Sequence, residues 1–133
     1  MTDRPTVNDL LAEARSGLAR LLPVDAFAAE REGALLIDTR CGEDLTRDGA
    51  IPGAIHVPLS VLFWRLDPAS GHADPRLTDP DRRVVLVCAH GYSSSMAAAT
   101  LRQLGFAHAT DVIGGFEAWQ ADGLPITPAG DAT

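Results

Sequence analysis

Two short, fully apolar runs are the clearest feature of the hydrophobic pattern. Residues 84–87 (Val-Val-Leu-Val) lead directly into Cys88, and residues 34–37 (Ala-Leu-Leu-Ile) lead into Asp38. An apolar run of this length, without alternating polar positions, is typical of a strand buried on both faces of a parallel sheet. The pattern therefore predicts two buried strands whose carboxyl ends place Asp38 and Cys88 at the same edge of the sheet.

The segments around these strands predict the remaining elements. Apolar residues recur at helical spacing over residues 8–21, which predicts an amphipathic helix with Thr6 and Asp9 as its start signal. Further helices are predicted over residues 25–31, 43–48, 60–66, 96–104 and 116–123, and further strands over residues 21–23, 54–57 and 110–113. Residues 67–82 predict a long solvated loop, and residues 124–133 a frayed tail.

Strands and helices alternate along the chain, with no internal repeat and no linker. This order predicts one α/β domain over residues 1–133, built on a doubly wound parallel sheet. A chain of 133 residues is long enough to bury roughly 70% of its unfolded surface in one core.

The net charge and the cysteine content argue against several classes of function. A net charge of −7 argues against nucleic acid and anionic membranes as partners, because both bind basic surfaces. No apolar run approaches the roughly 20 residues that cross a bilayer, and the first residues lack signal-peptide features. Two cysteines without zinc-type spacing argue against a disulfide scaffold, a metal site or a bound cofactor. We expect a cytoplasmic protein with reduced thiols.

Cys88 is the candidate for chemistry. It follows an apolar strand, and a short loop then leads into a predicted helix, so the sulfur is expected beneath the helix N-terminus. Unpaired N–H groups and the positive end of the helix dipole favour an anion at that position. We therefore predict a thiol with a lowered pKa that is partly thiolate near neutral pH.

Four motifs in the chain resemble those of a single-domain rhodanese. They are Asp38-Thr39-Arg40, the turn Gly49 to Pro58 (GAIPGAIHVP), the loop Val87 to Ser94 (VCAHGYSS), and Gly114 to Trp119 (GGFEAW). They occur in the order and spacing of that family, over about residues 20–126. The resemblance implies a rhodanese-like fold, with a five-stranded parallel sheet and helices on both faces. It also implies sulfurtransferase activity, in which Cys88 takes a sulfane sulfur and passes the resulting persulfide to a thiophilic acceptor.

The motifs depart from the family pattern at three places. The turn has Ala50 where the family has a histidine, one extra residue lies between Arg40 and Gly49, and Cys41 is outside the pattern. The loop after Cys88 also lacks the arginine or lysine that members using thiosulfate often carry. These departures concern the sulfur donor more than the fold.

The loop after Cys88 is expected to hold the persulfide with main-chain donors. Successive backbone N–H groups stabilise an anion without a charged side chain, and Gly91 allows the tight curl because it adopts positive φ freely. The predicted persulfide-binding residues are Ala89, His90, Gly91, Tyr92, Ser93 and Ser94. The alternative is a buried cysteine that merely closes a strand.

Other residues have weaker assignments. Asp38 and Arg40 are predicted to support the site, as an ion pair that pins the strand end or as a cation facing the pocket. His90 attracts an anion or is a solvated loop residue, and Arg65 beside Trp64 is a possible gate. Cys41 is either an incidental loop cysteine or the partner that resolves an oxidised Cys88 as a disulfide.

Three functions are compatible with a reactive Cys88. The first is sulfur transfer from thiosulfate or a persulfide donor to a thiol, cyanide or a thiol-containing protein. The second is a non-catalytic or redox-sensing module that uses Cys88 with Cys41. The third, phosphatase action, requires an arginine six positions after the cysteine to clamp an oxyanion, and Ser94 stands there. The sequence leaves the oligomeric state open.

Overall fold

The computed structural model describes residues 3–128 and is built on a parallel sheet of four strands. The strands are β1 (Leu35–Asp38), β2 (Ile55–His56), β3 (Val84–Val87) and β4 (Ala109–Asp111), in the order β2-β1-β3-β4. All three neighbouring pairs are parallel. The long apolar runs thus form the two central strands, β1 and β3.

Both faces of the sheet are buried, as the unbroken apolar runs predict. Leu35 pairs with Val84 and Asp38 with Val87, and successive side chains in each strand point to opposite faces. Leu35, Ile37, Val84 and Leu86 belong to one hydrophobic cluster, whereas Leu36, Val85 and Val87 belong to the other. The rhodanese-like α/β arrangement with helices on both faces is therefore observed.

Within residues 3–128, six α-helices accompany the sheet. They are α1 (Val7–Ser16), α2 (Pro23–Arg31), α3 (Gly42–Asp48), α4 (Leu62–Leu66), α5 (Ser93–Gln103) and α6 (Gly115–Ala121), with 3₁₀ turns at Leu59–Val61 and Pro75–Leu77. Helices α4 and α5 supply residues to one hydrophobic cluster, while α2 and α6 supply the other. Helix α1 packs on the outside of α5.

Helix α1 begins as predicted but ends early. Thr6 accepts a hydrogen bond from the Asp9 N–H, and the Asp9 side chain accepts one from the Thr6 N–H, which completes a capping box. The helix ends at Ser16, with Gly17 as its C-cap, so the prediction of a helix to residue 21 is wrong. Leu18 lies beyond the helix end and packs against the core. Its apolar side chain therefore continues the helical spacing of the sequence without belonging to the helix.

The sheet has four strands, and the expectation of five is wrong. The segment predicted as an edge strand at residues 21–23 forms only one bridge, between Leu21 and Val112. The Leu21 N–H donates to Asp111 O (3.0 Å), and the Ile113 N–H donates to Leu21 O (2.8 Å). Pro23 already opens α2 in the first-turn position that proline favours, so the pairing cannot extend.

Two segments expected to be loose are anchored. In the long loop, Leu77 lies in the 3₁₀ turn Pro75–Leu77 and is buried in the core. After α6, Ile126 packs against the second cluster, and Thr127 pairs with Ala50 in an antiparallel bridge. The prediction of a frayed tail is therefore wrong for residues 124–127. Residues 129–133 lie outside the described part of the chain.

No helix within residues 3–128 has the length and apolar character to cross a membrane.

A glycine substitution tests the close packing of α6 against the end of β3. Gly115 has φ of +63°, and a Cβ there would overlap the Cys88 carbonyl oxygen. Gly123 has a similar φ of +72° with no atom within 4 Å of a Cβ, which makes Gly123→Ala the matched control. Gly123→Ala is expected to lower the free energy of unfolding by about 1 kcal/mol through backbone strain alone. Gly115→Ala should lose about 3 kcal/mol, because overlap adds to strain. Equal losses in chemical denaturation would contradict this packing.

Candidate active site

Cys88 lies directly after β3, at the edge where the carboxyl ends of the parallel strands meet. Residues 89–92 then connect it to the first residue of α5, Ser93. Cys88 is only 6% exposed. The structure thus places the sulfur between a strand end and a helix start, where the sequence predicts it. We call residues 88–94 the Cys88 loop.

Several polar groups surround the Cys88 sulfur, and two of them lie within 3.2 Å of it. The Gly91 N–H donates to Sγ at 3.0 Å, which is one of the main-chain contacts expected from the tight loop. The Cys88 thiol donates to Ser94 Oγ at 3.2 Å. A serine hydroxyl both donates and accepts, and it rotates to suit its partner. This hydroxyl has one proton, which is donated to Asp111 Oδ2 while the oxygen accepts from the thiol, and it has to rotate away from Asp111 to donate to a thiolate.

The surroundings of Cys88 favour its anionic form. Burial would by itself raise the pKa of the thiol. Hydrogen bonds from the Ser94 hydroxyl and backbone, the Ser93 hydroxyl and the Gly91 N–H outweigh burial, so the pKa of Cys88 lies below that of an ordinary cysteine. A low pKa in a buried thiol is the property that a nucleophilic cysteine needs at neutral pH.

A fully buried aspartate, Asp111 of β4, organises the start of α5 beneath the loop. The Ser94 and Ser95 hydroxyls donate to Asp111 Oδ2 at 2.7 and 2.8 Å. The Arg20 Nε donates to Asp111 Oδ1 at 2.8 Å. This ion pair compensates the charge of the carboxylate, and the carboxylate fixes the serine that touches the sulfur.

Helix α6 holds the Cys88 loop from the other side. The Phe116 N–H donates to Cys88 O at 2.8 Å. Gly91 has φ of +84°, and a Cβ there would lie 2.7 Å from the Gly114 nitrogen. A side chain at residue 91 would thus push the loop away from α6, so glycine is required both by conformation and by space.

Arg40 and Asp38 form a buried ion pair beside the loop. Arg40 Nη2 donates to Asp38 Oδ2 at 2.8 Å and to Gly49 O at 2.9 Å. Its guanidinium carbon lies 3.7 Å from the centre of the Phe116 ring, which is a close cation–π contact. Arg40 Nη1 is buried without a hydrogen-bond partner among the described residues. These contacts favour the interpretation that the pair pins the strand end over that of a free cation in the pocket.

The remaining candidates of the loop face solvent. His90 Nδ1 lies 3.5 Å from Glu117 Oε2, and both side chains are exposed. Tyr92 is 63% exposed and lies beside His90, with ring centres 6.5 Å apart. Tyr92 is therefore on the rim of the site rather than inside it.

Arg65 and Cys41 have described contacts away from the sulfur. Arg65 Nη1 donates to His72 O at 3.2 Å, which ties it to the long loop. Cys41 is an exposed free cysteine at the start of α3, with its side chain hydrogen-bonded to Asp44. Neither contact joins these residues to Cys88, so the gate role of Arg65 and the resolving role of Cys41 stay predictions.

Two surface cavities flank the Cys88 loop. One of about 320 Å³ is polar and includes Arg40, Arg47, Ala89, His90 and Glu117 in its wall. The other, of about 330 Å³, is mostly apolar and is lined by Leu59, Phe63, Ser93, Met96, Ala97 and Thr100. No group of His, Cys, Asp or Glu side chains within residues 3–128 is arranged to hold a metal ion.

The family model of the rhodanese-like domain matches residues 24–122. The chain belongs to the rhodanese-like family. The motifs at Asp38 and Cys88 both lie within the matched range. The first 23 residues, which include Arg15 and Arg20, lie before it.

Three proteins illustrate what the chain is similar to. A thiosulfate sulfurtransferase GlpE of Pseudomonas fluorescens is 37% identical over 105 residues, which cover 79% of this chain and 87% of the relative. A Rhodopseudomonas palustris protein of unknown function, described as a possible tyrosine phosphatase, has a TM-score of 0.85 at 32% identity, with 95% of this chain and 97% of that chain covered. A polysulfide-sulfur transferase homodimer of Wolinella succinogenes has a TM-score of 0.70 at 27% identity, with 87% and 82% covered. The sulfurtransferases among them support a sulfurtransferase role for this rhodanese-like chain.

Sequence reasoning missed three residues of this site. Asp111 was interpreted only as part of a strand, and Arg15 and Arg20 were not singled out. Arg15 Nη2 donates to Gly91 O at 2.8 Å, and Arg20 Nη2 donates to the same oxygen at 3.2 Å. A charged aspartate inside a predicted buried strand is the sequence feature that could have indicated Asp111, because such a group requires a partner.

Removing the Ser94 hydroxyl is expected to raise the pKa of Cys88. In Ser94→Ala, burial still penalises the thiolate while a main opposing hydrogen bond is lost. The rate at which iodoacetamide alkylates Cys88 is measured from pH 5 to 10. The rise of this rate with pH should therefore occur at a higher pH in Ser94→Ala than in the wild type. Ser70→Ala, which removes a hydroxyl bonded to Trp64 O, is the control and should leave the profile unchanged. An unshifted Ser94→Ala profile would show that the hydroxyl does not stabilise the thiolate.

Proposed function

We propose that this rhodanese-like protein is a sulfurtransferase that moves sulfane sulfur through a persulfide on Cys88. The donor is thiosulfate or a small persulfide, and the acceptor is a thiol, cyanide or a thiol-containing protein. The supporting observation is the buried Cys88 sulfur, which has the Gly91 N–H at 3.0 Å and a lowered pKa. Two unpaired cysteines also support a cytoplasmic location.

The proposed reaction has two displacement steps at sulfur. The Cys88 thiolate attacks the sulfane sulfur of thiosulfate, a new S–S bond forms, and sulfite leaves with the electron pair of the broken bond. The acceptor then attacks the terminal sulfur of the persulfide. The electrons of the Cys88 S–S bond return to Cys88 as thiolate, and the acceptor leaves as a persulfide or, from cyanide, as thiocyanate.

The proposed intermediate is an anion, and the loop supplies neutral donors for it. Gly91 contributes its N–H, and the Ser93 and Ser94 hydroxyls act on the same sulfur. Donors fixed in advance stabilise a charge as it forms, without rearranging at that moment. No side chain of the loop carries a permanent positive charge. The loop's own stabilisation of the anion therefore comes from main-chain and hydroxyl groups.

Phosphatase action fits the site less well. A phosphate ester offers three oxygens that a cysteine loop clamps with a bidentate arginine. Ser94 occupies the position of that arginine, and its hydroxyl donates to Asp111 at 2.7 Å. The name of the Rhodopseudomonas palustris neighbour therefore does not extend to this chain.

Sulfur loading tests the proposed function. The protein is incubated with thiosulfate, freed of excess donor and measured by intact mass spectrometry. We expect a gain of one sulfur atom that disappears when cyanide is added. Cys88→Ser should not load, whereas Cys41→Ser, which changes the other free cysteine, should load as the wild type does. No sulfur on the wild type from thiosulfate or from a persulfide donor would overturn the sulfurtransferase proposal.

The redox-sensing alternative makes a different prediction. If Cys41 resolves oxidised Cys88, mild peroxide should produce a Cys41–Cys88 disulfide in peptide mapping under non-reducing conditions. The exposed position of Cys41 and the buried position of Cys88 favour the opposite outcome. We therefore expect oxidised Cys88 with Cys41 unlinked, and a disulfide would favour the redox module.

A further inference from the structure

The segment before the matched domain reaches the Cys88 loop through two arginines. Arg15 of α1 donates from Nη2 to Gly91 O at 2.8 Å, and Arg20 donates from Nη2 to the same oxygen at 3.2 Å. Both residues precede the range of the family model, residues 24–122. The reactive loop is thus fixed by side chains that the family motifs do not contain.

The two arginines differ in how their charges are compensated. Arg20 forms an ion pair with the buried Asp111, with Nε and Oδ1 2.8 Å apart. Arg15 bonds only neutral groups, namely Gly91 O and, from Nε at 3.0 Å, Ser95 Oγ. None of the ion pairs within residues 3–128 includes Arg15. Its positive charge is half-buried beside the loop and remains uncompensated.

Other charged groups around Cys88 have oppositely charged neighbours. On β4, Asp111 is paired with Arg20, and at the end of β1, Asp38 is paired with Arg40. On α3, Arg47 is paired with Asp44 and Asp48, and on the loop itself His90 faces Glu117 of α6, a contact that is an ion pair only when His90 is protonated. Among the described residues, Arg15 therefore brings a cation without an ion-pair partner to a loop that has no arginine or lysine of its own.

Gly91 links Arg15 to the reacting sulfur. Its N–H donates to Cys88 Sγ at 3.0 Å, while its carbonyl oxygen accepts from Arg15. Gly91 adopts φ of +84° and lies close against Gly114. A glycine at positive φ has many other conformations available. The carbonyl and the N–H lie in successive peptide units that meet at the Gly91 Cα, so anchoring the carbonyl restricts the rotations that would turn the N–H away from the sulfur.

We propose that Arg15 is a positioning residue for sulfur transfer, which holds the Gly91 peptide in place and favours a negative sulfur on Cys88 by its charge. Arg15 touches neither the sulfur nor a substrate and acts through Gly91 and Ser95. The proposal rests on the proposed sulfurtransferase function for its purpose. The contacts of Arg15 and its effect on a negative Cys88 sulfur do not depend on that function.

The test compares Arg15→Gln with Arg15→Lys and Arg102→Gln. Arg102 of α5 donates from Nη1 to Gly17 O, so it anchors the same N-terminal segment without contacting the Cys88 loop. The change Arg102→Gln therefore controls for a general loosening of that segment. The pKa of Cys88 is measured from the pH dependence of iodoacetamide alkylation, in protein that has not been loaded with sulfur and that carries Cys41→Ser in every variant, because the exposed Cys41 would also be alkylated. Thermal unfolding of each variant is recorded alongside.

The three variants have distinct expected results. Arg15→Gln should raise the pKa of Cys88 by about half a unit to one unit, so that alkylation below that pKa slows roughly 3- to 10-fold. Arg15→Lys keeps the charge but not the forked geometry, and its pKa should lie between those of the wild type and Arg15→Gln. Arg102→Gln should leave the pKa unchanged, although its thermal midpoint falls about as much as that of Arg15→Gln.

Three results would overturn the positioning role. They are an unchanged pKa in Arg15→Gln, an equal shift in Arg102→Gln, and an Arg15→Lys pKa no lower than that of Arg15→Gln. Alkylation requires no sulfur donor, so these results are independent of the sulfur-loading experiment. If the pKa shifts as expected but no donor loads sulfur, the Arg15 role stands and the proposed function fails.

Discussion

A sulfur that carries negative charge loses hydration when it is buried, and protein donors have to replace the lost water. Cys88 is 6% exposed, and the Gly91 N–H lies 3.0 Å from its sulfur. The surrounding contacts hold the Gly91 N–H and the Cys88 sulfur next to each other. Helix α6 holds the Cys88 carbonyl, Gly91 curls against Gly114, and α5 begins where its serines reach the sulfur. The lowered pKa of Cys88 thus follows from backbone and hydroxyl donors gathered at a strand end.

The buried charges around the loop compensate one another. No exposed cation is therefore needed to balance the buried carboxylates. Asp111 is fully buried and accepts from two serine hydroxyls and from Arg20. Removing one partner from such a group would leave a buried charge uncompensated, which costs several kcal/mol. This network ties the first turn of α5 to β4, which holds the Ser94 hydroxyl near the sulfur.

The sequence predicts the parts of the structure that depend on local pattern. The apolar runs before Asp38 and Cys88 became the central strands, and the capping box at Thr6 and Asp9 formed as expected. The prediction of a five-stranded sheet failed because Pro23 starts a helix two residues after Leu21. The Asp111 network was not predictable from local pattern, since Arg20 and Asp111 are 91 positions apart and Arg15 and Gly91 are 76 apart. Contacts of that range are determined by tertiary packing, which a residue pattern does not encode.

The chemistry of the donors also explains which substrates suit the site. An oxyanion that must be clamped at three oxygens requires a forked cation such as arginine within the loop. A terminal sulfur is a single atom, so one N–H group and nearby hydroxyls are enough to satisfy it. The Cys88 loop offers donors of the second kind, with Ser94 at the position where an arginine would stand. Arg15 and Arg20 bring positive charge to the loop from behind, through their bonds to the Gly91 carbonyl. This placement favours an anion on the protein's own sulfur over an anionic group on a bound ester.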